Sequence, residues 1–145
     1  MQQLTPSNPP IIAVIGLGYV GLPLALAFSK QYQVIGYDLD TTRVDALNNG
    51  NDITLQASEE ALRSNSQLVF TTALSAISKA TIYIITVPTP VHSDKTPDLK
   101  PLLHASTQIA NLLKKGDIVI YESTVYPGCT EEDCVPVLEK NSGLK

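Results

Sequence analysis

Six consecutive residues, Gly16, Leu17, Gly18, Tyr19, Val20 and Gly21, together with one acid, Asp38, carry the residue types and spacing best suited to chemistry. Glycines spaced G-x-G-x-x-G between a strand and a helix form a cradle for phosphate. Gly16 permits the tight turn, Gly18 lets the backbone approach a pyrophosphate, and Gly21 allows close packing of helix on sheet. The helix beyond them offers free N–H groups and a positive dipole end. Asp38 lies 20 residues beyond Gly18, where a carboxylate accepts hydrogen bonds from an adenosine ribose and repels a 2′-phosphate. The pattern predicts a dinucleotide site, with NAD favoured over NADP. Arg43, one helical turn further on, is expected to flank the adenine, to pair with Asp38 or Asp40, or to stand on a solvated face. S-adenosylmethionine enzymes also place an acid after their second strand, so that ligand remains an alternative. The complete three-glycine turn leans towards the dinucleotide.

These residues need elements to hold them. Ile11-Ile-Ala-Val-Ile15 is a continuous β-branched run of the kind buried on both faces of a parallel sheet. A helix is predicted over Tyr19–Lys30, with Pro23 tolerable in its opening turns. Val34–Tyr37 is a second strand, completing a βαβ unit. Asp40 or Thr41 caps the next helix, which Asn48-Asn49-Gly50 ends, and Ser58 starts a short helix with its acids in the first turn. Leu68–Thr72, Thr81–Val87 and Asp117–Tyr121 are the remaining strands. Between the last two, Asp98 is expected to cap a helix whose apolar stripe runs to Leu113 and which Lys114-Lys115-Gly116 closes. Thr130-Glu-Glu-Asp133 resembles a capping box for a last helix that Pro136 should kink. Strands alternating with helices specify an α/β, Rossmann-type doubly wound parallel sheet. Five strands are expected, against six in a complete dinucleotide fold. A sixth would be truncated, leaving a bare sheet edge.

Composition narrows the classes further. Of 145 residues 43% are hydrophobic and 17% charged, which suits one ordinary folded domain over residues 11–145 after a flexible, Pro-rich lead-in at 1–10. Ten basic against 14 acidic residues give a net charge of -4, and the lysines are scattered, which argues against nucleic acid. No apolar run is long enough for a membrane span, and the first ten residues have no signal-peptide pattern. Two cysteines, Cys129 and Cys134, are too few for a disulfide scaffold and lack partners at metal-site spacing, so no metal is expected and a reducing, cytoplasmic setting is the default. Their expected role is packing. His92 and His104 have no orienting partner in the sequence and are poor candidates for catalysis.

With Val87-Pro-Thr-Pro90 and Glu122-Ser-Thr-Val-Tyr-Pro-Gly128 added to the glycine turn, the chain resembles the NAD-binding N-terminal domain of the UDP-glucose/GDP-mannose dehydrogenases. The wording Gly16-Leu-Gly-Tyr-Val-Gly-Leu-Pro23 and Tyr121-Glu-Ser-Thr-Val-Tyr-Pro-Gly-Cys129 is most similar to the branch that oxidises UDP-N-acetylhexosamines. The resemblance implies oxidation of a sugar C6 alcohol to a carboxylate with two NAD+ per turnover. It implies that Gly16 to Gly21 hold the pyrophosphate, Asp38 the adenosine ribose, and Arg43 the adenine end. Thr89 would approach the cofactor ribose, and Thr124 the nicotinamide and an active-site water in a supporting catalytic role. Bottom-up, Thr89, Ser123 and Thr124 could equally serve as turn residues that satisfy loop backbone groups. The family's thiolate nucleophile, with its catalytic Lys and Asn, has no match in these residues. The chain alone is therefore expected to bind cofactor and oxidise nothing. A UDP-sugar partner and a homo-oligomer are implied for the full-length enzyme only. A free-standing nucleotide-binding or regulatory module, a hydroxyacid dehydrogenase and a methyltransferase are the rival functions.

Overall fold

The computed structural model describes residues 9–145; the first eight residues of the expected lead-in lie outside the described residues. Five strands form one parallel sheet: β1 (Ile11–Ile15), β2 (Gln33–Tyr37), β3 (Leu68–Thr71), β4 (Ile82–Ile85) and β5 (Ile118–Tyr121). Their order is β3-β2-β1-β4-β5, the doubly wound arrangement expected from the alternation of strands and helices. Chain order moves outward from β1 to β3, then crosses back to β4 on the other side of β1. The strand order reverses between β1 and β4, and there a doubly wound sheet opens a crevice at its carboxyl edge. Register brings the ends Thr71, Tyr37, Ile15, Ile85 and Tyr121 into line along that edge.

The β-branched run at β1 explains its central place, since Ile12 to Ile15 are buried on both faces. On one face Ile12, Val14, Val34 and Ile84 pack with Ala25 of α1 (Gly21–Phe28). On the other, Ala13, Ile15, Ile35, Tyr83 and Ile85 pack with Leu102, Ala105 and Ile109 of α4 (Lys100–Ala110). Helices α2 (Thr41–Asn48) and α3 (Glu59–Arg63) join β2 to β3, and α5 (Val135–Ser142) follows β5. β5 stands at the end of the strand order and pairs with β4 alone among the described residues, and its Ile118 and Ile120 are 47% and 36% exposed.

Local chemistry decides the element boundaries. Asp40 caps α2, accepting from the Thr42 and Arg43 N–H groups, and Ser58 caps α3 through the Ala61 N–H. Asp98 does not cap α4 in the expected way: it accepts from the Lys100 N–H, while Leu99 takes the cap position without a side-chain bond. That helix also stops at Ala110, short of the expected lysine closure. Lys114 instead donates to the carbonyls of Ser78 and Ala80 and pairs with Asp117 at 3.1 Å. Those carbonyls end a 3₁₀ helix, Leu74–Lys79, which has no clear pattern in the sequence. Thr130 forms no capping box. Residues Thr130–Cys134 make a π-helical turn with no side-chain cap that runs straight into α5, with Pro136 at the junction where the winding changes.

Candidate functional site

The turn after β1 is shaped by what its glycines lack. Gly16 has φ +95 and donates from its N–H to the Tyr37 carbonyl at 2.8 Å, which ties the start of the turn to the end of β2. A Cβ at Gly21 would overlap both the Gly16 carbonyl oxygen and the Thr86 hydroxyl, so only glycine lets α1 seat this close to the sheet. At Gly18 the same test meets nothing within 4 Å: its Cα faces open space where a ligand backbone can approach. No side chain caps α1. The Leu22 and Leu24 N–H groups bond the Gly18 and Val20 carbonyls at 3.2 Å and Pro23 has none, so the N–H groups left to an anion are those of the turn itself, from Gly18 to Gly21. Open space, free donors and a positive helix end fit a pyrophosphate.

Asp38 is half-buried at the end of β2, with each oxygen holding one backbone N–H. The Leu17 N–H donates at 2.8 Å and the Asp40 N–H at 3.0 Å. An ionised carboxylate has about four acceptor positions, so two remain for ribose hydroxyls. The acid is aimed by the phosphate turn itself, through Leu17.

Across the switch point, the loops after β4 and β5 bind each other. Thr86 is buried and its hydroxyl lies 3.0 and 2.7 Å from the carbonyls of Ile15 and Gly16. Ser123 donates to the Val87 carbonyl and Thr89 to the Thr124 carbonyl, both at 2.7 Å. Thr89 and Ser123 thus satisfy loop backbone groups, which for Thr89 is the plainer of its two expected roles, while their oxygens keep free lone pairs. A cleft of about 440 Å³ runs between the two sides, lined by Gly16, Leu17, Gly18, Tyr19, Val20, Asp38, Thr89 and Thr124, with Thr86, Glu122 and Ser123. A more apolar pocket of about 230 Å³ adjoins it, sharing Gly16, Asp38, Val87 and Pro88 and reaching Pro101, His104 and Gln108 of α4.

The cleft gathers every expected site residue that lines a surface, with Gly21 beneath it, and leaves out one. Arg43 pairs with neither Asp38 nor Asp40. It is 7% exposed, 2.7 Å from Asp52, and bonded through Nε to the Leu17 carbonyl at 2.8 Å. Burial alone would raise the Asp52 carboxyl, but hydrogen bonds from Thr54 and Arg43 hold it well below the usual carboxylate range. Sequence reasoning missed Asp52 and Thr86. Asp52-Ile-Thr54 just after Gly50 is an Asx-turn pattern, and a hydroxyl ending the apolar run of β4 is a second available signal.

The cysteines are fully buried beside Tyr121 and α4, and burial pushes both thiols up, that of Cys134 to about 11. Neither is a nucleophile in this state. His92 lies 4.0 Å from Asp98 in the loop after β4, outside both cavities, whereas His104 lines the smaller pocket. Among the described residues no group of three His, Cys, Asp or Glu side chains could hold a metal, and no helix is long and apolar enough to cross a membrane.

Residues 11–145 match the model of the UDP-glucose/GDP-mannose dehydrogenase family, NAD binding domain. The chain belongs to this family. Within it, the chain is 54% identical over 133 residues to a UDP-N-acetyl-D-glucosamine 6-dehydrogenase of Salmonella typhi, covering 92% of this chain and 31% of that protein. The corresponding protein of Pseudomonas aeruginosa is 56% identical over 134 residues, covering 92% and 32%. The chain therefore spans about a third of the length of the curated relatives it matches. Among solved structures, a UDP-D-ManNAc dehydrogenase of Pyrococcus horikoshii superposes with a TM-score of 0.86 at 34% identity, over 93% of this chain and 33% of that one. The superposition shows that the chain shares the fold of that dehydrogenase over the aligned part, and the family assignment makes NAD the cofactor of this domain.

Proposed function

We propose that residues 11–145 are the NAD-binding domain of a UDP-N-acetylhexosamine 6-dehydrogenase, which oxidises the sugar C6 alcohol to the uronic acid with two NAD+. The observation that carries the proposal is the continuous cleft joining the open glycine turn, the Asp38 carboxylate and the Thr89–Thr124 loop pair. Gly16 to Gly21 and the α1 N-terminus hold the pyrophosphate, Asp38 the adenosine ribose, and the apolar pocket beside it the adenine. Arg43 acts at the adenosine end from behind, by fixing the Leu17 carbonyl. Thr89 accepts from the second ribose, and the exposed Thr124 hydroxyl stands at the nicotinamide end as a hydrogen-bonding aid to catalysis. Bound NAD+ supplies the hydride acceptor; the protein supplies orientation and charge.

The names and identities of the relatives support the UDP-N-acetylglucosamine branch in particular. Two buried thiols fit a reducing, cytoplasmic compartment. The UDP-sugar and a homo-oligomeric assembly belong to the whole enzyme. With no accessible thiol among the described residues, the 145-residue chain binds cofactor without turning over sugar.

A fluorescence titration of the chain with NADH tests the proposal. Saturable binding is expected, and Asp38→Ala should weaken it by about tenfold or more, since a hydrogen bond to a charged group is worth about 1.5–3 kcal/mol. Equal binding by the Asp38→Ala chain would remove Asp38 from the site. A thermal shift with S-adenosylmethionine but not NAD+ would replace the cofactor, and sustained NADH production from UDP-N-acetylglucosamine would refute the inactivity.

A further inference from the structure

Arg43 is the cation nearest Asp38 in the chain, and every nitrogen of its guanidinium is engaged away from the ribose end of the site. Nη1 meets Asp52 Oδ1 at 2.7 Å, Nε donates to the Leu17 carbonyl at 2.8 Å, and Nη2 reaches the Thr54 hydroxyl at 3.3 Å. Arg43 lines neither cavity. Asp52 is fixed independently of it. Its Oδ1 accepts from the N–H and hydroxyl of Thr54 at 2.9 and 2.7 Å, and its Oδ2 from the N–H groups of Gln56 and Ala57 at 2.7 and 2.9 Å. The Asp52 side chain has no exposure, so this is a preformed buried anion into which Arg43 is drawn.

A buried ion pair contributes little net stability, and a registry or selectivity role is the better reason to keep one. An arginine shortly after the second strand is also the residue that accommodates a 2′-phosphate in NADP-binding folds. We propose that Asp52 is a specificity-determining residue for the cofactor: by locking Arg43 behind the glycine turn, it denies a 2′-phosphate the cation that would receive it. Among the described residues Asp38 and Asp40 then stand without an ion-pair partner at the end of β2, and the 2′-phosphate is refused twice, once by repulsion and once by removal of the cation that would donate to it.

This inference rests on the dinucleotide site proposed above, and the experiment separates the two. The 145-residue chain, Asp38→Ser, and Asp38→Ser with Asp52→Asn are titrated with NADH and with NADPH. Adding Asp52→Asn to Asp38→Ser should raise the NADPH-to-NADH affinity ratio by at least about tenfold, equivalent to about 1.4 kcal/mol. An unchanged ratio, including equal weakening of both cofactors, overturns the inference and leaves Asp52 a structural clamp. Should thermal unfolding reveal that Asp52→Asn does not fold, Asp38→Ser is compared with Asp38→Ser carrying Arg43→Met, with Asp52 intact. Both affinities should then fall together while the ratio stays equal, because a locked Arg43 supports the Leu17 carbonyl for either cofactor and cannot tell them apart. A selective loss of NADPH binding overturns the inference. Absence of NADH binding by the unsubstituted chain refutes the dinucleotide site and this inference together. NADH binding with an unmoved ratio refutes this inference alone.

Discussion

On the β1–β2 side of the cleft the site is made of backbone: a turn with φ +95 at Gly16, an overlap at Gly21 that only hydrogen avoids, and a carboxylate held by the Leu17 and Asp40 N–H groups. On the β4–β5 side it is made of hydroxyls: Thr86, Thr89 and Ser123 bond carbonyls of neighbouring loops, and Glu122 and Thr124 stand exposed. The first side rests on strands buried on both faces; the second rests in part on β4, which is buried as deeply, and in part on an edge strand that exposes Ile118 and Ile120. Backbone geometry tolerates almost no substitution because it is a steric condition. A hydroxyl–carbonyl bond is graded, worth about 0.5–1.5 kcal/mol net, and the same carbonyl finds water when the hydroxyl leaves.

The largest effects should therefore come from the glycine turn. Gly21→Ala must push α1 away from Gly16 and Thr86, which should cost about 1–3 kcal/mol in chemical denaturation and abolish NADH binding as well. Gly18→Ala breaks the link between those losses. Its Cβ enters open space, so stability should hold within about 0.5 kcal/mol while NADH binding falls steeply, because the methyl group occupies the pyrophosphate approach. Equal losses of stability at both positions would mean that Gly18 serves the fold and not the ligand.

The hydroxyl side should answer more softly, and most strongly at its one buried member. Thr86→Val takes the hydroxyl donor from the Gly16 carbonyl, while the Ile15 carbonyl keeps the Thr86 N–H at 2.8 Å, at a cost of about 1–3 kcal/mol, whereas Thr86→Ser should recover most of it. Ser123→Ala, with a half-buried hydroxyl, should cost less than about 1 kcal/mol and leave NADH affinity nearly unchanged. A Ser123→Ala loss as large as that of Thr86→Val would erase the distinction between the two sides.

The same contrast governs what could be read from the residues alone. The glycine turn and Asp38 were legible because sterics and charge impose them locally, and β1, β2 and the doubly wound parallel sheet followed from β-branched runs alternating with helices. Arg43 was legible only as a charge near Asp38, because its partner is brought to it by the Asx turn beyond Gly50, which no helical or strand period marks. The end of α4 and the start of α5 were misplaced for a similar reason. Lys114 serves the 3₁₀ helix before β4, about 35 residues away in sequence, and Thr130 opens a π-helical turn flanked by Cys129 and Cys134, both buried in the core under β4 and α4. Long-range partners decide these places.

An effect that vanishes at pH 7 and appears only in alkali lies in that cysteine cluster. Burial raises the Cys134 thiol from its ordinary value to about 11, so the folded chain keeps its proton where the unfolded chain has already lost it. The unfolded state therefore binds fewer protons than the native state between about pH 8.5 and 11, and stability must fall as pH rises through that window. Below it both states hold the proton and the group contributes no slope. Cys134→Ala should flatten this alkaline limb while costing modest stability at pH 7 through the cavity it leaves. NADH affinity at pH 7 should not change, because the thiol lies under β5 and α4 and lines neither cavity. Denaturation curves for the two chains at pH 7, 9 and 10.5 measure the slope directly. Parallel curves would mean that the thiol titrates alike in both states and that the packing around β5 is looser than the core beneath the glycine turn.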